Sequence, residues 1–195
     1  MRLFSAVALA LVLAVAGCGR SDGTPPTPDP PAPFADCATL TAPPPAAAPV
    51  TLAGEGKPLP EVALPCFTGG QDVAVSAIRG PAVVNLWGSW CPPCRDELPA
   101  FQRFADRAAG KVTVVGVDTR DRRSAASSLA VDLGLTYPNL FDESEQFRIK
   151  LSVSALPATL FVDRDGRVRH LYNSTPLDDA MLATLAAKHL GVTLP

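Results

Sequence analysis

The sequence predicts an α/β domain whose sheet is parallel in one part and antiparallel in the other. Three observations carry this. Two short, β-branched apolar runs, Ala82 to Trp87 and Val112 to Val117, are each followed by a stretch that reads as helix. Two further runs, Thr159 to Val162 and Val168 to Tyr172, flank Asp163-Arg164-Asp165-Gly166, a hairpin signal with a glycine available for positive φ. One more helical stretch closes the chain. The order strand–helix–strand–helix, then hairpin and helix, is that of a mixed α/β sheet.

Each element has a local reason. Val73 to Val75 alternates weakly, and a turn over Ser76 to Arg79 leads to Gly80-Pro81. The strand from Ala82 ends at Gly88-Ser89-Trp90-Cys91. From Pro92 the pattern turns helical, with Leu98, Phe101, Phe104, Ala105 and Ala108 at three- and four-residue spacings and Gly110 as the stop. The next strand ends at Asp118. Ser124 to Leu133 reads as a helix, with Ser124 as N-cap candidate and Gly134 at its end. The last helix runs from Leu177 to His189 and stops at Gly191.

The N-terminus points to export. Arg2 precedes an apolar run from Leu3 to Ala16, broken by Ser5, and Val15-Ala16-Gly17 leads directly into Cys18. A run of about 14 residues is short for a spanning helix but suits the apolar region of a secretory signal. Small residues before a cysteine resemble the bacterial lipobox. We therefore expect residues 1–17 to be a lipoprotein signal peptide and Cys18 to be lipidated, the alternative being an ordinary signal peptide whose tail holds a cysteine. Several acyl chains on Cys18 give stable anchoring where one is marginal. Residues 18–49, rich in Pro, Ala and Thr, read as an anchor and semi-rigid linker. Residues 50–195 are one domain's worth of chain. A formal net charge of −2 without a sustained basic run gives no reason to expect nucleic acid as a partner.

Five cysteines divide cleanly if Cys18 is taken by lipid. Cys91 and Cys94 form a CxxC. Cys37 and Cys66 remain and read as a structural disulfide in an oxidising compartment. Closing a loop of about 28 residues stabilises by roughly 3–4 kcal/mol on the chain-entropy model. A four-cysteine zinc site lacks a second CxxC, and two free thiols are the third reading.

The CxxC sits where a strand feeds a helix. There the unpaired N–H groups and the macrodipole favour an anion, so Cys91 is expected to be the attacking thiolate and Cys94, one turn on, the resolving thiol. Lowering a thiol pKa from about 8.5 to about 7 corresponds to roughly 2 kcal/mol of thiolate stabilisation. Pro92 and Pro93 fit the first helical turn. Proline at position 93 also deletes a donor, leaving the Cys94 amide as the one close to the Cys91 sulfur, so Cys91 is expected to be less acidic than with another residue there. The Arg95 charge works the other way.

The run Trp87-Gly88-Ser89-Trp90-Cys91-Pro92-Pro93-Cys94-Arg95-Asp96-Glu97-Leu98-Pro99 resembles the active site of the TlpA/ResA-type extracytoplasmic thioredoxins. Gly116-Val117-Asp118, Val153 to Thr159 and Asp163 to Gly166 extend the resemblance, which covers roughly Leu59 to the C-terminus. It implies a thioredoxin fold: a central mixed β-sheet flanked by helices, with the TlpA-type central insertion. It also implies a cis-proline at Pro157 facing the cysteines, a helix-kinking Pro99 and an acidic residue, Glu97, close to the pair. Thioredoxins in general carry a buried Asp on the strand before the motif, where this chain has Asn85, so Glu97 is the expected proton handler for Cys94. The Cys37/Cys66 pair departs from the simplest members.

The expected function is therefore a membrane-anchored extracytoplasmic thiol–disulfide oxidoreductase. By resemblance it reduces disulfides of other proteins, as in maturation of c-type apocytochromes, and is re-reduced by a membrane thiol–disulfide donor, with no bound cofactor implied. A disulfide-forming oxidase or isomerase is the first alternative. A peroxiredoxin-type peroxidase needs a Thr-x-x-Cys nucleophile, and Gly88 stands at the threonine position. A copper-delivery protein needs a CxxxC, one residue longer than the spacing here. His170, at an exposed phase, and His189, at a helix C-terminus, have no metal-ligand partner at useful spacing. The charges from Asp118 to Arg123 read as a solvated loop with a lesser option of partner recognition.

Overall fold

The computed structural model describes residues 31–43, 55–108 and 110–194. The expected signal peptide, Cys18, most of the linker and residues 50–54 of the expected domain lie outside the described residues.

Among the described residues, eight strands and four α-helices follow one another as β1 (Lys57–Pro58), β2 (Ala63–Leu64), β3 (Val73–Ala74), β4 (Ala82–Trp87), α1 (Pro92–Ala108), β5 (Thr113–Thr119), α2 (Arg123–Leu133), β6 (Asn139–Asp142), α3 (Gln146–Lys150), β7 (Ala158–Val162), β8 (Arg167–Tyr172) and α4 (Asp179–Leu190). Six strands form one sheet in the order β1-β8-β7-β4-β5-β6, and β2–β3 is a separate ribbon. β4 lies parallel to β5 and antiparallel to β7; β5–β6 is parallel and β7–β8 antiparallel. This is the thioredoxin-like mixed sheet, with α2, β6 and α3 lying in the chain between β5 and the β7–β8 hairpin.

All six residues of β4 are buried, because the strand is covered on both faces and reads as a continuous apolar run. Val83 and Trp87 face a core completed by α1, α2 and α4. Val84 and Leu86 face a second core closed by the β2–β3 ribbon, Phe147 of α3 and Leu40. Full burial of side chains such as Phe101 and Phe104 stabilises by about 1.5–3 kcal/mol each.

The strands and helices expected from the pattern are present, with four differences. Asp118 is inside β5 and fully buried, not the start of a solvated loop. Helix α2 begins at Arg123 with Arg122 at the N-cap and no side-chain cap, so Ser124 is not the cap. The last helix starts at Asp179, two residues later than the pattern indicated; Asp178 caps it by accepting from the Met181 N–H at 2.8 Å. β1, β2, β6 and α3 carried no sequence signal.

The described part of the expected linker is not a free spacer. Phe34, Cys37 and Leu40 are buried. Phe34 packs edge-on against Phe67 with ring centroids 4.9 Å apart, Ala35 N–H donates to Thr136 O at 2.7 Å, and Arg79 N–H donates to Leu40 O at 3.2 Å. Prolines flank this segment, but three apolar side chains at three-residue spacing give it a face to bury.

Asn139, at the start of β6, is the hub of this region. Its Oδ1 accepts from Trp87 Nε1 at 2.8 Å and its Nδ2 donates to Tyr137 O at 3.0 Å. Its backbone oxygen accepts from Phe67 N–H at 2.8 Å. Space for the amide exists because residue 116 on the neighbouring strand is glycine; a Cβ there would overlap the Asn139 side chain.

Candidate active site

The chain turns sharply between β4 and α1. Cys91 N–H donates to Gly88 O at 3.1 Å, and Pro92 and Pro93 occupy the first turn of α1, where proline costs no helical hydrogen bond. Cys91 and Cys94 are joined in a disulfide across three positions. Neither is open to solvent: Cys91 is 3% exposed and Cys94 fully buried. Cys94 N–H lies 3.3 Å from the Cys91 sulfur, the single amide that the two prolines leave in reach. Trp90, beside them, is 50% exposed and donates from Nε1 to Thr119 O at 3.2 Å.

Glu97 is one helical turn beyond Cys94, on the buried face of α1, and only 2% exposed. Its carboxylate has two donors: Asn85 Nδ2 at 2.7 Å on Oε1 and Leu177 N–H at 2.9 Å on Oε2. Burial pushes the carboxyl up to about 7, against the lowering effect of those two hydrogen bonds. A carboxyl poised at that pH exchanges a proton readily at neutrality. Asn85 Nδ2 also reaches Thr159 Oγ1 at 3.4 Å, so one amide links the helix to β7.

The Leu156–Pro157 peptide is cis. Ala158, the next residue, is paired with Leu86, which places Pro157 at the level of the β4 end that leads into Cys91. Asn173 fixes this loop by donating from Nδ2 to Pro157 O at 2.6 Å and to Ala155 O at 2.9 Å. Gly80–Pro81, at the opposite end of β4, is also cis, a feature the sequence reading did not anticipate.

The structure thus gathers Cys91, Cys94, Glu97 and Pro157 at one end of the sheet. It holds Cys37 and Cys66 elsewhere, joined in a disulfide among Leu40, Leu59, Leu64 and Val73. Cys18 lies outside the described residues. Three residues near the site were missed or misread. Asp121, read as part of a solvated run, accepts from the Ser89 backbone N–H and hydroxyl. Arg123 of the same run lies over the Phe141 ring at 4.3 Å and donates to Phe67 O. Tyr137 is buried close enough to Glu97 for the carboxylate charge to raise its hydroxyl pKa further, above the effect of burial. His170 is half-buried and stacks on His189, ring centroids 4.1 Å apart, so it is not at an exposed phase. No cluster of three or more metal-ligating side chains occurs among the described residues.

Comparison with known proteins agrees with this geometry. The AhpC/TSA family profile matches residues 56–171. The chain is 31% identical over 136 residues to a thiol:disulfide interchange protein DsbE from Pseudomonas fluorescens biotype C, covering 69% of this chain and 75% of that protein. It is 29% identical over 108 residues to the thiol-disulfide oxidoreductase ResA of Geobacillus kaustophilus, covering 54% of this chain and 62% of that one, under two thirds of its length. Among solved structures, a secreted Mycobacterium tuberculosis disulfide oxidoreductase homologous to Escherichia coli DsbE superposes with a TM-score of 0.59 at 25% identity, over 65% of this chain and 95% of that chain. A secreted thiol-disulfide isomerase from Corynebacterium glutamicum gives 0.58 at 26% identity, over 68% and 83%.

Proposed function

The chain belongs to the AhpC/TSA family and is a thiol–disulfide oxidoreductase of the DsbE/ResA type; within that class, we propose that it reduces disulfides of extracytoplasmic proteins through Cys91 and Cys94. The observation that carries the proposal is the redox pair at the start of α1 with a buried carboxyl, Glu97, one turn beyond it.

In the reduced enzyme, the Cys91 thiolate attacks one sulfur of a substrate disulfide. A Cys91–substrate disulfide forms, and the other substrate sulfur leaves as a thiolate that takes up a proton. Glu97 then accepts the proton of Cys94, whose thiolate attacks the Cys91 sulfur. The Cys91–Cys94 bond forms and the second substrate sulfur departs as a thiolate, which takes up the proton left on Glu97. The substrate gains two electrons and two protons, and the enzyme disulfide is restored. Pro157 lies on the loop against which an extended substrate peptide would pair. A membrane-bound dithiol is the proposed electron donor, and the maturing apocytochromes c, whose haem-binding cysteines must be reduced, are the proposed substrates.

The same reading makes Cys18 a lipid-bearing residue that holds the domain at the extracytoplasmic face of the membrane. Its support is the run Val15-Ala16-Gly17-Cys18. Palmitate labelling of wild type and absence of label in Cys18→Ala test the anchor. Gly88, in place of a threonine, argues against peroxidase chemistry.

The deciding experiment is the reduction potential of Cys91–Cys94, by equilibration against glutathione and dithiothreitol. A value near or below about −250 mV is expected of a reductant fed by a membrane donor. A value above roughly −180 mV assigns the protein to disulfide formation or isomerisation instead.

A further inference from the structure

Ser89 and Trp90, the two residues leading into Cys91, are both held from the loop between β5 and α2. The Asp121 carboxylate accepts from the Ser89 backbone N–H and, at 2.9 Å, from the Ser89 hydroxyl. Trp90 Nε1 reaches Thr119 O at 3.2 Å. Between these two anchors Arg120 takes a left-handed backbone, φ 53°, which turns the chain at the end of β5. Gly88 has no room for a side chain, since a Cβ would sit 2.7 Å from Trp90 Nε1. The lead-in to the attacking cysteine is therefore fixed from outside its own strand and helix.

At the end of β5 lies an unexplained group. Asp118 is fully buried, and neither of its carboxyl oxygens has an N–H or hydroxyl donor. Its paired positions on the flanking strands, Trp87 and Phe141, do not titrate. The charged groups that face it are Asp121 from the loop and Arg123 from α2. A buried carboxyl without donors is stable when it keeps its proton, and a protonated carboxyl needs an acceptor. Asp121 is the acceptor at hand.

We propose that Asp121 is a positioning residue for the attacking sulfur, acting through Ser89, and that buried Asp118 supplies the shared proton that ties Asp121 in place. The inference rests on Cys91 being the attacking residue. Asp118 donates its O–H to the Asp121 carboxylate, whose remaining lone pairs take Ser89 and, at 2.7 Å, the Arg122 N–H. Burial, followed by the charge of Asp121, pushes the Asp118 carboxyl up to about 9, with Arg123 opposing. Above that pH two carboxylates face one another, and their repulsion drives Asp121, and Ser89 with it, out of position.

The test follows the reduced full chain reacting with excess oxidised glutathione, from pH 6 to 10, by tryptophan fluorescence in a stopped-flow instrument. Trp87 and Trp90 both flank the site. In wild type the rate climbs as Cys91 ionises and then falls above about pH 9. Asp118→Asn, which keeps a donor toward Asp121 and cannot ionise, holds its rate flat above pH 9. Asp121→Ala lowers the rate about tenfold at pH 7. Ser89→Ala removes the 2.9 Å contact alone and lowers it roughly threefold, which carries the test if Asp121→Ala does not fold. Rates within twofold of wild type for both loop variants overturn the proposal, as does an Asp118→Asn profile parallel to wild type above pH 9. If Cys91→Ser reacts at the wild-type rate through Cys94, the assignment of Cys91 falls instead, whatever the loop variants do.

Discussion

Cys37–Cys66 and Cys91–Cys94 are both almost closed to solvent, at 5% and 3% exposure for the first pair and 3% and 0% for the second. Burial therefore does not separate the bridge proposed to be structural from the one proposed to react. What differs is the surrounding chemistry. Cys37–Cys66 joins positions 29 apart and sits among aliphatic side chains, with the Thr68 hydroxyl 3.3 Å from the Cys66 sulfur. Cys91–Cys94 spans a single turn at a helix N-terminus, with an amide on the outer sulfur and a carboxyl that titrates near neutrality one turn inward. The first bridge constrains a long loop of the unfolded chain; the second constrains almost none, and its oxidation state is left to its chemistry.

Four experiments break or sharpen that contrast. The largest effect is expected at the reactive pair: Cys91→Ser should lower exchange with oxidised glutathione by about a thousandfold or more, while urea unfolding shows a modest change. Cys37→Ser combined with Cys66→Ser should do the reverse. Stability drops by about 3–4 kcal/mol in urea titrations, and the exchange rate stays near wild type. A parallel loss of exchange would erase the distinction between the two bridges.

Glu97 ranks third. Its folded pKa, raised from 4.5 to about 7, means that its contribution to stability is complete below 4.5 and is lost as pH rises through 7. The stability difference between Glu97→Gln and wild type should accordingly move in favour of the variant from pH 4.5 to 7, by on the order of 3 kcal/mol. In the same variant the inflection of exchange rate near pH 7 should vanish. The smallest effect belongs to Pro93→Ala, which restores an amide beside the Cys91 sulfur. Iodoacetamide alkylation of reduced Cys91 at pH 6 should rise roughly two- to threefold.

What the sequence made legible was what is local. Cys91, Pro92, Pro93 and Cys94 carry their chemistry within one turn, and Leu98, Phe101 and Phe104 mark the buried face of α1 by spacing alone. The partners of Glu97 do not lie within one turn: Asn85 is 12 positions away and Leu177 is 80. β6 escaped because its four buried residues begin and end with polar side chains, Asn139 and Asp142, whose burial is made acceptable by Trp87 and by the start of α3. Asp118 and Asp121 were misread for the same reason. A charge on a strand end looks solvated until the segment that covers it is known. Phe34 hid among prolines, and the rings of Phe67 and Trp87, far along the chain, give it a place.

The amide of Asn139, wedged between the Trp87 indole and the bare backbone of Gly116, also constrains how this sequence can drift. Any side chain gained at 116 displaces the amide and strands a buried indole N–H, a loss of about 1–3 kcal/mol. Shortening Asn139 first strands the same N–H, while replacing Trp87 first empties the floor beneath the redox pair. Each first step is deleterious and only the coordinated change is neutral, so the three positions should move together in descendants of this sequence or not at all. A library randomised at all three sites at once, selected for folding, should return compensated triplets that single-site libraries never reach.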